Sequence, residues 1–230
     1  MVAVGLIEAL TRTLGSVGVF RPLVRDGVKD PILQTLIEQP GVNQSYKEGL
    51  GVTYDDVHAD ADAAQATLVE RFAALKEKHE NVVILGSDYT DVASPTELNF
   101  NAKVAANLNT PVVLVVSGRA RDAESIREAA EGGLREFRAN HVKVLAVIAN
   151  RVEPEQIDAV KAELAKLTDV QVAVLPCEKL LAAPTVADQF ASVDAKLVLG
   201  NPALLNRESA SVLVARSEER RVGKECRSRW

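Results

Sequence analysis

The sequence predicts an α/β fold in which a mostly parallel sheet lies between helices, in three layers. Short apolar runs rich in β-branched residues alternate with longer amphipathic stretches along the chain, a pattern typical of βαβ units. Apolar residues make up 47% of the 230 residues, but aromatic residues only 4%. The core must therefore consist mainly of Val, Leu, Ala and Ile, as in parallel sheets that are covered by helices.

The first predicted element is a helix over the opening stretch, from Val2 to Leu14. Its apolar residues recur at spacings of three and four, and Gly15 can end it. No Ser, Thr or Asp stands before Val2 to cap the free N–H groups of the first turn. We therefore expect the natural protein to have a further segment in front of this helix.

The remaining elements alternate between strands and helices. Strands are predicted at 17–20, 82–86, 112–116, 142–148 and 170–175, and helices at 62–78, 97–107, 122–139 and 154–167. Residues 26–58 form a long insertion around a short helix near 32–37, and such an insertion is either functional or purely structural. Residues 194–205 supply a further strand and turn. In this architecture ligands bind beyond the carboxyl ends of the strands.

Composition argues against several classes of protein. The formal charge of −5 disfavours nucleic acid as the main partner. No run approaches the roughly 18 apolar residues of a membrane span, and no signal-peptide pattern opens the chain. The two cysteines, Cys177 and Cys226, are too few for a disulfide framework and too isolated for a zinc site. We expect a cytoplasmic protein that does not bind membranes.

The last residues, 216–230, differ from the rest of the chain. They contain six of the 27 basic residues but three of the 32 acidic ones, together with the single tryptophan. The stretch has no helical or strand periodicity, so we expect a disordered tail. It resembles a translated vector or adaptor sequence, an interpretation that we favour over a native basic tail.

Two carboxylates are candidates for magnesium. Asp88 follows the strand at 82–86, where a carboxylate can hold the ion through water beside a phosphate loop. Capping of the loop or of the next helix explains Asp88 equally well. Asp55, in the segment VTYDDVHAD, is a candidate for an outer magnesium contact, whereas Asp60 and Asp62 fit the start of a helix.

Asn150 and Arg21 are candidates for nucleotide binding. Asn150 lies at the end of the apolar strand in VLAVIANRV, and its amide has the donor and the acceptor that suit a purine edge. A loop asparagine bonded to neighbouring backbone is the alternative. Arg21 follows the strand in VGVFRP, where its guanidinium can face a phosphate or carboxylate, or form a surface ion pair.

Five segments occur in this order: VGLIEALTRTLGSVGVFRP, VTYDDVHAD, VVILGSDYTDVASPTELNFNAKVAANLNTPVVLVVSGR, VLAVIANRV and VAVLPCEKLLAAPTV. Together they resemble the N-terminal region of long bacterial phosphate acetyltransferases, which is similar to dethiobiotin synthetase. The resemblance implies a phosphate-loop NTPase-like fold. In that family a strand and a phosphate loop ending in Gly-Lys-Ser/Thr stand directly before the first helix, and this sequence contains no such motif.

Without that strand and loop, we expect weak or no binding of ATP, because the phosphates lose their backbone N–H contacts and the lysine. We also expect an exposed apolar slot between the strands that begin at Val82 and Val112. An inner strand buries several side chains at about 1.5–3 kcal/mol each, so the chain alone is predicted to be marginally stable.

The resemblance further implies three regions. Residues 1–191 correspond to the dethiobiotin-synthetase-like domain, truncated at its N-terminus, and residues 192–215 to the start of a DRTGG-type intermediate domain. Residues 216–230 are the non-native tail. The acetyl-transfer site of the family lies in a separate C-terminal domain, so none of its catalytic residues is expected in this chain.

The first functional hypothesis is a fragment of a phosphate acetyltransferase that holds its regulatory and oligomerisation domain and is inactive alone. Full-length relatives transfer an acetyl group between coenzyme A and phosphate. The expected partners are other subunits and the C-terminal domains of the same enzyme, with ATP and magnesium as cofactors only if the phosphate loop is restored. The alternatives are an ATP-dependent ligase resembling dethiobiotin synthetase and a non-catalytic interaction module.

Overall fold

The computed structural model describes residues 2–25, 29–87, 96–178 and 183–209. The chain divides into two compact units, 1–176 and 177–230. The boundary after residue 191 that the resemblance implies stays a prediction. Asp88 and the tail 216–230 lie outside the described residues, and the predictions about them stay predictions.

Helices and strands alternate through the first unit, as the sequence predicts. Its helices are α1 (Val2–Leu14), α2 (Pro31–Ile37), α3 (Tyr54–Ala59), α4 (Ala61–Lys76), α5 (Thr96–Asn107), α6 (Ala123–Ala139) and α7 (Ile157–Leu164). Its strands are β1 (Gly18–Val24), β2 (Leu50–Thr53), β3 (Val82–Ile84), β4 (Val112–Ser117), β5 (Val144–Val152) and β6 (Gln171–Pro176). A 3-10 turn, Pro154–Gln156, precedes α7. The α/β class is confirmed.

The described strands form two parallel sheets. In the first sheet β1 lies between β2 and β3, and in the second β5 lies between β4 and β6. Each pair is parallel; Val19 of β1, for example, stands beside Val83 of β3. Among the described strands no ladder joins β3 to β4. The sheet is therefore interrupted at the place where the sequence predicts a slot.

Helices cover both faces of the first sheet. On one face Phe20 of β1 packs with Phe72 of α4, and the centroids of the two rings lie 5.5 Å apart. On the other face Val19 packs with Ile7 of α1 and Leu33 of α2. Successive residues of a strand point to opposite faces, so both Val19 and Phe20 are fully buried only because different helices cover the two faces.

In the second sheet, α6 and α7 cover one face. Ile126 of α6 and Val160 of α7 share a core with Val147 of β5. The opposite face is less covered within the described residues, because Val115 of β4 is 44% exposed and Leu175 of β6 is 38% exposed. The helices of the first unit thus bury the first sheet more completely than the second.

Local signals in the sequence set several helix ends. The Asp60 carboxylate accepts hydrogen bonds from the amides of Asp62 and Ala63, which confirms its predicted place at the start of α4. At the end of α1, Gly15 has a φ of 85° and its N–H donates to the carbonyl of Thr11. A left-handed conformation of this kind is one that glycine adopts without strain.

Two strands differ from the prediction. β1 continues past Phe20, through Arg21 and Pro22, to Val24. In the region predicted as an insertion, residues 50–53 form β2 and pair with β1. A charged residue followed by proline is typical of a strand end, and a strand of four residues carries too little alternating pattern to identify. Both errors therefore arise where the local signal is weak or misleading.

The structure describes residues 177–178 and 183–209 of the second unit. It contains α8 (Val186–Ser192), which begins with a capping box between Thr185 and Asp188, and a 3-10 turn, Pro202–Leu204. The strand predicted within 194–205 is wrong, because these residues form no ladder and Val198 and Leu199 are each 93% exposed. Without a neighbouring strand, an extended segment has no partner for its backbone.

Across the described parts of the chain, no helix combines the length and the apolar character needed to cross a membrane.

Replacement of Glu48 by glutamine is expected to reduce the amount by which the free energy of unfolding falls as the pH is lowered. The Lys78 ammonium, followed by the hydroxyl and amide of Ser45, lowers the pKa of Glu48 from 4.5 to about 2. A carboxyl group whose pKa is lower in the folded state stabilises the fold above pH 4.5, and that contribution is lost as the pH falls towards 2. Urea denaturation at a series of pH values between 7 and 3 measures the effect.

Lys78→Met, which removes the main donor to Glu48, is likewise expected to reduce the fall in the free energy of unfolding between pH 7 and pH 3. Parallel stability profiles for the original protein and the Glu48→Gln variant contradict the prediction.

Candidate functional site

The candidate site lies at the carboxyl ends of β1 and β3, where Arg21 is buried. Arg21 lies inside β1 rather than after it, and it is 1% exposed. Its Nη1 donates to the main-chain oxygen of Leu85, at 3.2 Å, and to that of Gly86. Leu85 and Gly86 directly follow β3, so the Arg21 guanidinium joins the end of β3 to β1.

Asp30 supplies the negative charge beside Arg21. The Arg21 Nε lies 3.4 Å from Asp30 Oδ2, and the side chain of Asp30 is 5% exposed. Asp30 Oδ1 also accepts a hydrogen bond of 2.8 Å from the Leu33 amide and so caps α2. The Asp30 amide donates to the Tyr46 hydroxyl at 2.7 Å. Arg21 therefore forms an ion pair, which is one of the predicted alternatives, but the pair is buried and not on the surface.

Asn101 of α5 holds the segment that follows β3. Its Oδ1 accepts hydrogen bonds from the Ser87 amide, at 3.0 Å, and from the Ser87 hydroxyl, at 3.2 Å. Its Nδ2 donates to the Ser87 carbonyl at 3.0 Å. A Cβ atom on the neighbouring Gly86 would lie only 2.8 Å from Asn101 Oδ1. A side chain at residue 86 would therefore displace the Asn101 side chain from this position.

Replacement of Asn101 by alanine is expected to lower the free energy of unfolding by about 1–2 kcal/mol, because the partly buried backbone of Ser87 loses its partners. Amide hydrogen exchange at Ser87 is expected to become faster. The matched control is Asn107→Ala on the same helix, since Asn107 is exposed and its side chain donates to Gln65 rather than to Ser87. Equal effects of the two substitutions on Ser87 exchange contradict the assignment.

The carboxyl end of the second sheet contains a strained backbone. The Gly118 amide donates to the Asn150 carbonyl at 2.7 Å, and a Cβ atom on Gly118 would lie 2.6 Å from Cγ2 of Val152. Arg151 has a φ of 62°, a conformation that costs about 1–3 kcal/mol and that clusters at functional sites. Asn150 lies within β5 and is partly buried. Its contact with a purine stays a prediction.

The predicted magnesium contact at Asp55 stays a prediction. Asp55 lies exposed in the first turn of α3, directly after β2. Its neighbour Asp56 is engaged in a capping box, where the Thr53 amide and hydroxyl lower the pKa of Asp56. Within the described ranges no three His, Cys, Asp or Glu side chains are grouped to hold a metal ion. Asp88, the other predicted ligand, lies outside those ranges.

The structure places the predicted site residues at two sheet edges. Arg21 and Asp55 lie at the carboxyl edge of the first sheet, and Asn150 lies at that of the second. Neither Asp30 nor Asn101 was predicted from the sequence to belong to the site. An aspartate directly before a proline is a known helix-start signal, so Asp30 was identifiable as a cap. No local pattern marks Asn101, because its partner Ser87 belongs to another element.

Comparison with known proteins identifies relatives. A family model described as an AAA domain matches residues 1–185. A phosphate acetyltransferase of Nitratidesulfovibrio vulgaris is 24% identical over 214 residues, which are 87% of this chain and 30% of that protein. A phosphate acetyltransferase of Synechocystis sp. is 24% identical over 172 residues, 71% of this chain and 25% of that protein. The chain thus spans less than a third of the length of these curated relatives.

Among solved structures, the arginine decarboxylase of Paramecium bursaria Chlorella virus is 13% identical, with a TM-score of 0.32. The match covers 76% of this chain and 61% of that one. The same enzyme bound to agmatine also has a TM-score of 0.32, at 11% identity, and covers 76% of this chain and 62% of that one. Scores this low carry no argument about fold or function.

The matches to phosphate acetyltransferases confirm the resemblance seen in the sequence. The parallel sheets and their flanking helices agree with the domain type that the family model describes. Because that model matches residues 1–185, the chain belongs to the AAA domain family.

Proposed function

We propose that this chain is a regulatory and subunit-assembly region of a phosphate acetyltransferase. The observation that carries the proposal is the alignment of 87% of the chain with 30% of a phosphate acetyltransferase. Because the matched region is less than a third of that relative, we assign it a part in assembly or control rather than the whole reaction. A cytoplasmic location belongs to the same proposal.

In the complete enzyme, acetyl transfer between acetyl-coenzyme A and phosphate would take place outside this region. The buried side chains at the carboxyl end of the first sheet support this placement of acetyl transfer outside the region. Arg21 and Asp30 are occupied with each other, with α2 and with the end of β3. These contacts fix the position of backbone and helix, which is a structural role. The partners in this proposal are the remaining domains and the other subunits of the same enzyme.

A nucleotide effector is a further part of the proposal. The carboxyl ends of the strands are where α/β sheets bind ligands. Asp55 follows β2, and Asn150 lies near the end of β5. The 230 residues contain no Gly-Lys-Ser/Thr phosphate loop. We therefore propose that ATP and magnesium bind appreciably only when a phosphate loop is supplied by additional chain.

Acetyl phosphate formation tests the first part of the proposal. The purified chain, the full-length enzyme and the enzyme without residues 1–176 are each assayed with acetyl-coenzyme A and phosphate, and their oligomeric states are measured by light scattering. We expect no turnover by the chain alone. We expect the deletion to retain the chemistry but to change subunit assembly or effector response. Turnover by the isolated chain, or a deletion without any effect on assembly and control, overturns the proposal.

Calorimetric titration tests the nucleotide part. A version extended at its N-terminus by the native preceding sequence is titrated with ATP and magnesium, and the 230-residue chain serves as the control. We expect heat of binding for the extended version and little or none for the control. If neither protein releases heat of binding, the nucleotide effector is removed from the proposal. If the extended version hydrolyses ATP while it activates a carboxylate, the domain is a ligase and not a regulatory region.

A further inference from the structure

Three exposed arginines lie at the carboxyl end of the second sheet. Arg119 and Arg121 follow β4, and Arg151 is the last residue but one of β5. Within the described residues, none of the three side chains forms an ion pair or a hydrogen bond, whereas Arg12 and Arg127 each pair with a glutamate. This end of the sheet therefore carries positive charge in a chain whose formal charge is −5.

The backbone brings the two arginine-bearing segments together. Ser117 of β4 stands beside Asn150 of β5, and the Gly118 amide donates to the Asn150 carbonyl at 2.7 Å. Arg119 and Arg151 each directly follow one of the two residues joined by this hydrogen bond. Neighbouring strands lie about 4.8 Å apart, and an arginine carries its guanidinium on a long flexible stem. The guanidinium groups can therefore reach one ligand.

The backbone of both segments is strained. In the turn after β4, the Arg121 amide donates to the Gly118 carbonyl at 3.4 Å, and Ala120 has a φ of 55°. Arg151 has a φ of 62°. A left-handed residue is common after the end of a helix, as at His141, but Ala120 and Arg151 lie at strand ends. Strain of this kind clusters at sites that hold a ligand.

The neighbouring polar groups leave these donors available. Asp122 accepts a hydrogen bond of 2.8 Å from the Ser125 amide and so caps α6. Glu153, directly after β5, is exposed and forms no ion pair within the described residues. The Ser117 hydroxyl accepts from the Arg119 amide at 3.3 Å, which leaves its own proton to donate. Guanidinium and hydroxyl donors are thus presented together, as an anion requires.

We propose that Arg119, Arg121 and Arg151 form a binding site for the phosphate group of a small molecule. A planar guanidinium can donate two parallel hydrogen bonds to phosphate oxygens, and such charge-assisted hydrogen bonds are the strong ones. The proposal goes beyond the proposed function, because this site requires neither a phosphate loop nor magnesium. Inorganic phosphate and the phosphate groups of an organic molecule share the required chemistry.

Nuclear magnetic resonance of the 230-residue chain tests the site. Inorganic phosphate and coenzyme A are titrated separately at constant ionic strength, without magnesium, which would neutralise the phosphate charge. We expect saturable shifts of the Nε–Hε signals of Arg119, Arg121 and Arg151, and of the amides of residues 117–121 and 150–152. Saturation by both ligands shows that the phosphate group alone is sufficient, and saturation by coenzyme A only assigns the site to an organic phosphate.

Substitutions locate the binding energy. Arg119→Gln, Arg121→Gln and Arg151→Gln are each expected to weaken binding by about five- to tenfold, because each removes a charge-assisted contact. The matched control is Arg135→Gln, which removes an exposed arginine from α6, about 18 Å along the helix from its first residue at 1.5 Å per residue. We expect the control to bind as the original chain does. Circular dichroism checks that each variant is folded.

Two outcomes overturn the proposal. If neither ligand gives saturable shifts at the three arginines, they do not hold a phosphate group. If Arg135→Gln weakens binding as much as Arg151→Gln does, the anion is attracted by charge in general and not by this site. Because the titrations use the chain itself, a positive result stands even if the chain has no role in subunit assembly or control, so the two proposals fail separately.

Discussion

Replacement of Arg21 by methionine is expected to lower the free energy of unfolding by about 3–5 kcal/mol, the range for breaking one side of a buried ion pair. The substitution leaves the Asp30 carboxylate, 5% exposed, without its guanidinium. It also removes the donor to the carbonyls of Leu85 and Gly86 that joins β3 to β1. Urea denaturation measures the loss.

A second substitution separates the charge from the packing. Asp30→Asn keeps a side-chain acceptor for the Leu33 amide, so the cap of α2 is retained, but it removes the buried negative charge. The double variant Arg21→Met with Asp30→Asn is therefore expected to recover part of the lost stability. The surface control is Arg12→Met, whose partner Glu8 is exposed, with an expected change within about 1 kcal/mol. Similar losses for Arg12→Met and Arg21→Met contradict the assignment.

Replacement of Gly51 by alanine is expected to lower the free energy of unfolding. The range for overpacking is about 1–3 kcal/mol, and we expect a value towards its upper end. A Cβ atom on Gly51 of β2 would lie 2.1 Å from the carbonyl oxygen of Pro22 and 2.6 Å from its Cα. These are backbone atoms of β1, so the new methyl group can be accommodated only if two paired strands move apart. Thermal and chemical denaturation measure the effect.

Gly5→Ala is the matched control for Gly51→Ala. Gly5 lies exposed within α1, and a Cβ atom there meets nothing within 4 Å. Alanine is the better helix former, so the free energy of unfolding of this variant is expected to rise by about 0.5–1 kcal/mol. A Gly51→Ala variant as stable as the original protein overturns the expected clash between β1 and β2.

Long, strongly patterned elements were predictable from the sequence. The predicted helices at 97–107 and 122–139 correspond to Thr96–Asn107 and Ala123–Ala139, and the predicted strand at 112–116 to Val112–Ser117. Each of these helices repeats its apolar positions over several turns, so the pattern is clear without knowledge of the neighbours. The helix cap at Asp60 was predictable for a related reason, because a cap depends on residues within one turn.

The candidate site was predictable only in part. The expectation that polar residues would gather at the carboxyl ends of parallel strands follows from the fold class, and it places Asp55 and Asn150 at those ends. The state of Arg21 did not follow, because its burial depends on Asp30 and on the end of β3, at Leu85 and Gly86. The residues next to Arg21 in the sequence do not indicate which distant residues it contacts.

The sequence alone determined the α/β class, the apolar faces of the main helices and several helix ends, since these depend on composition and on residues a few positions apart. Only the tertiary structure decided that residues 50–53 form a strand beside β1, and that Arg21 is buried against Asp30. The physical reason is that strand pairing and the burial of a charge depend on residues that are remote in the chain and become neighbours only on folding.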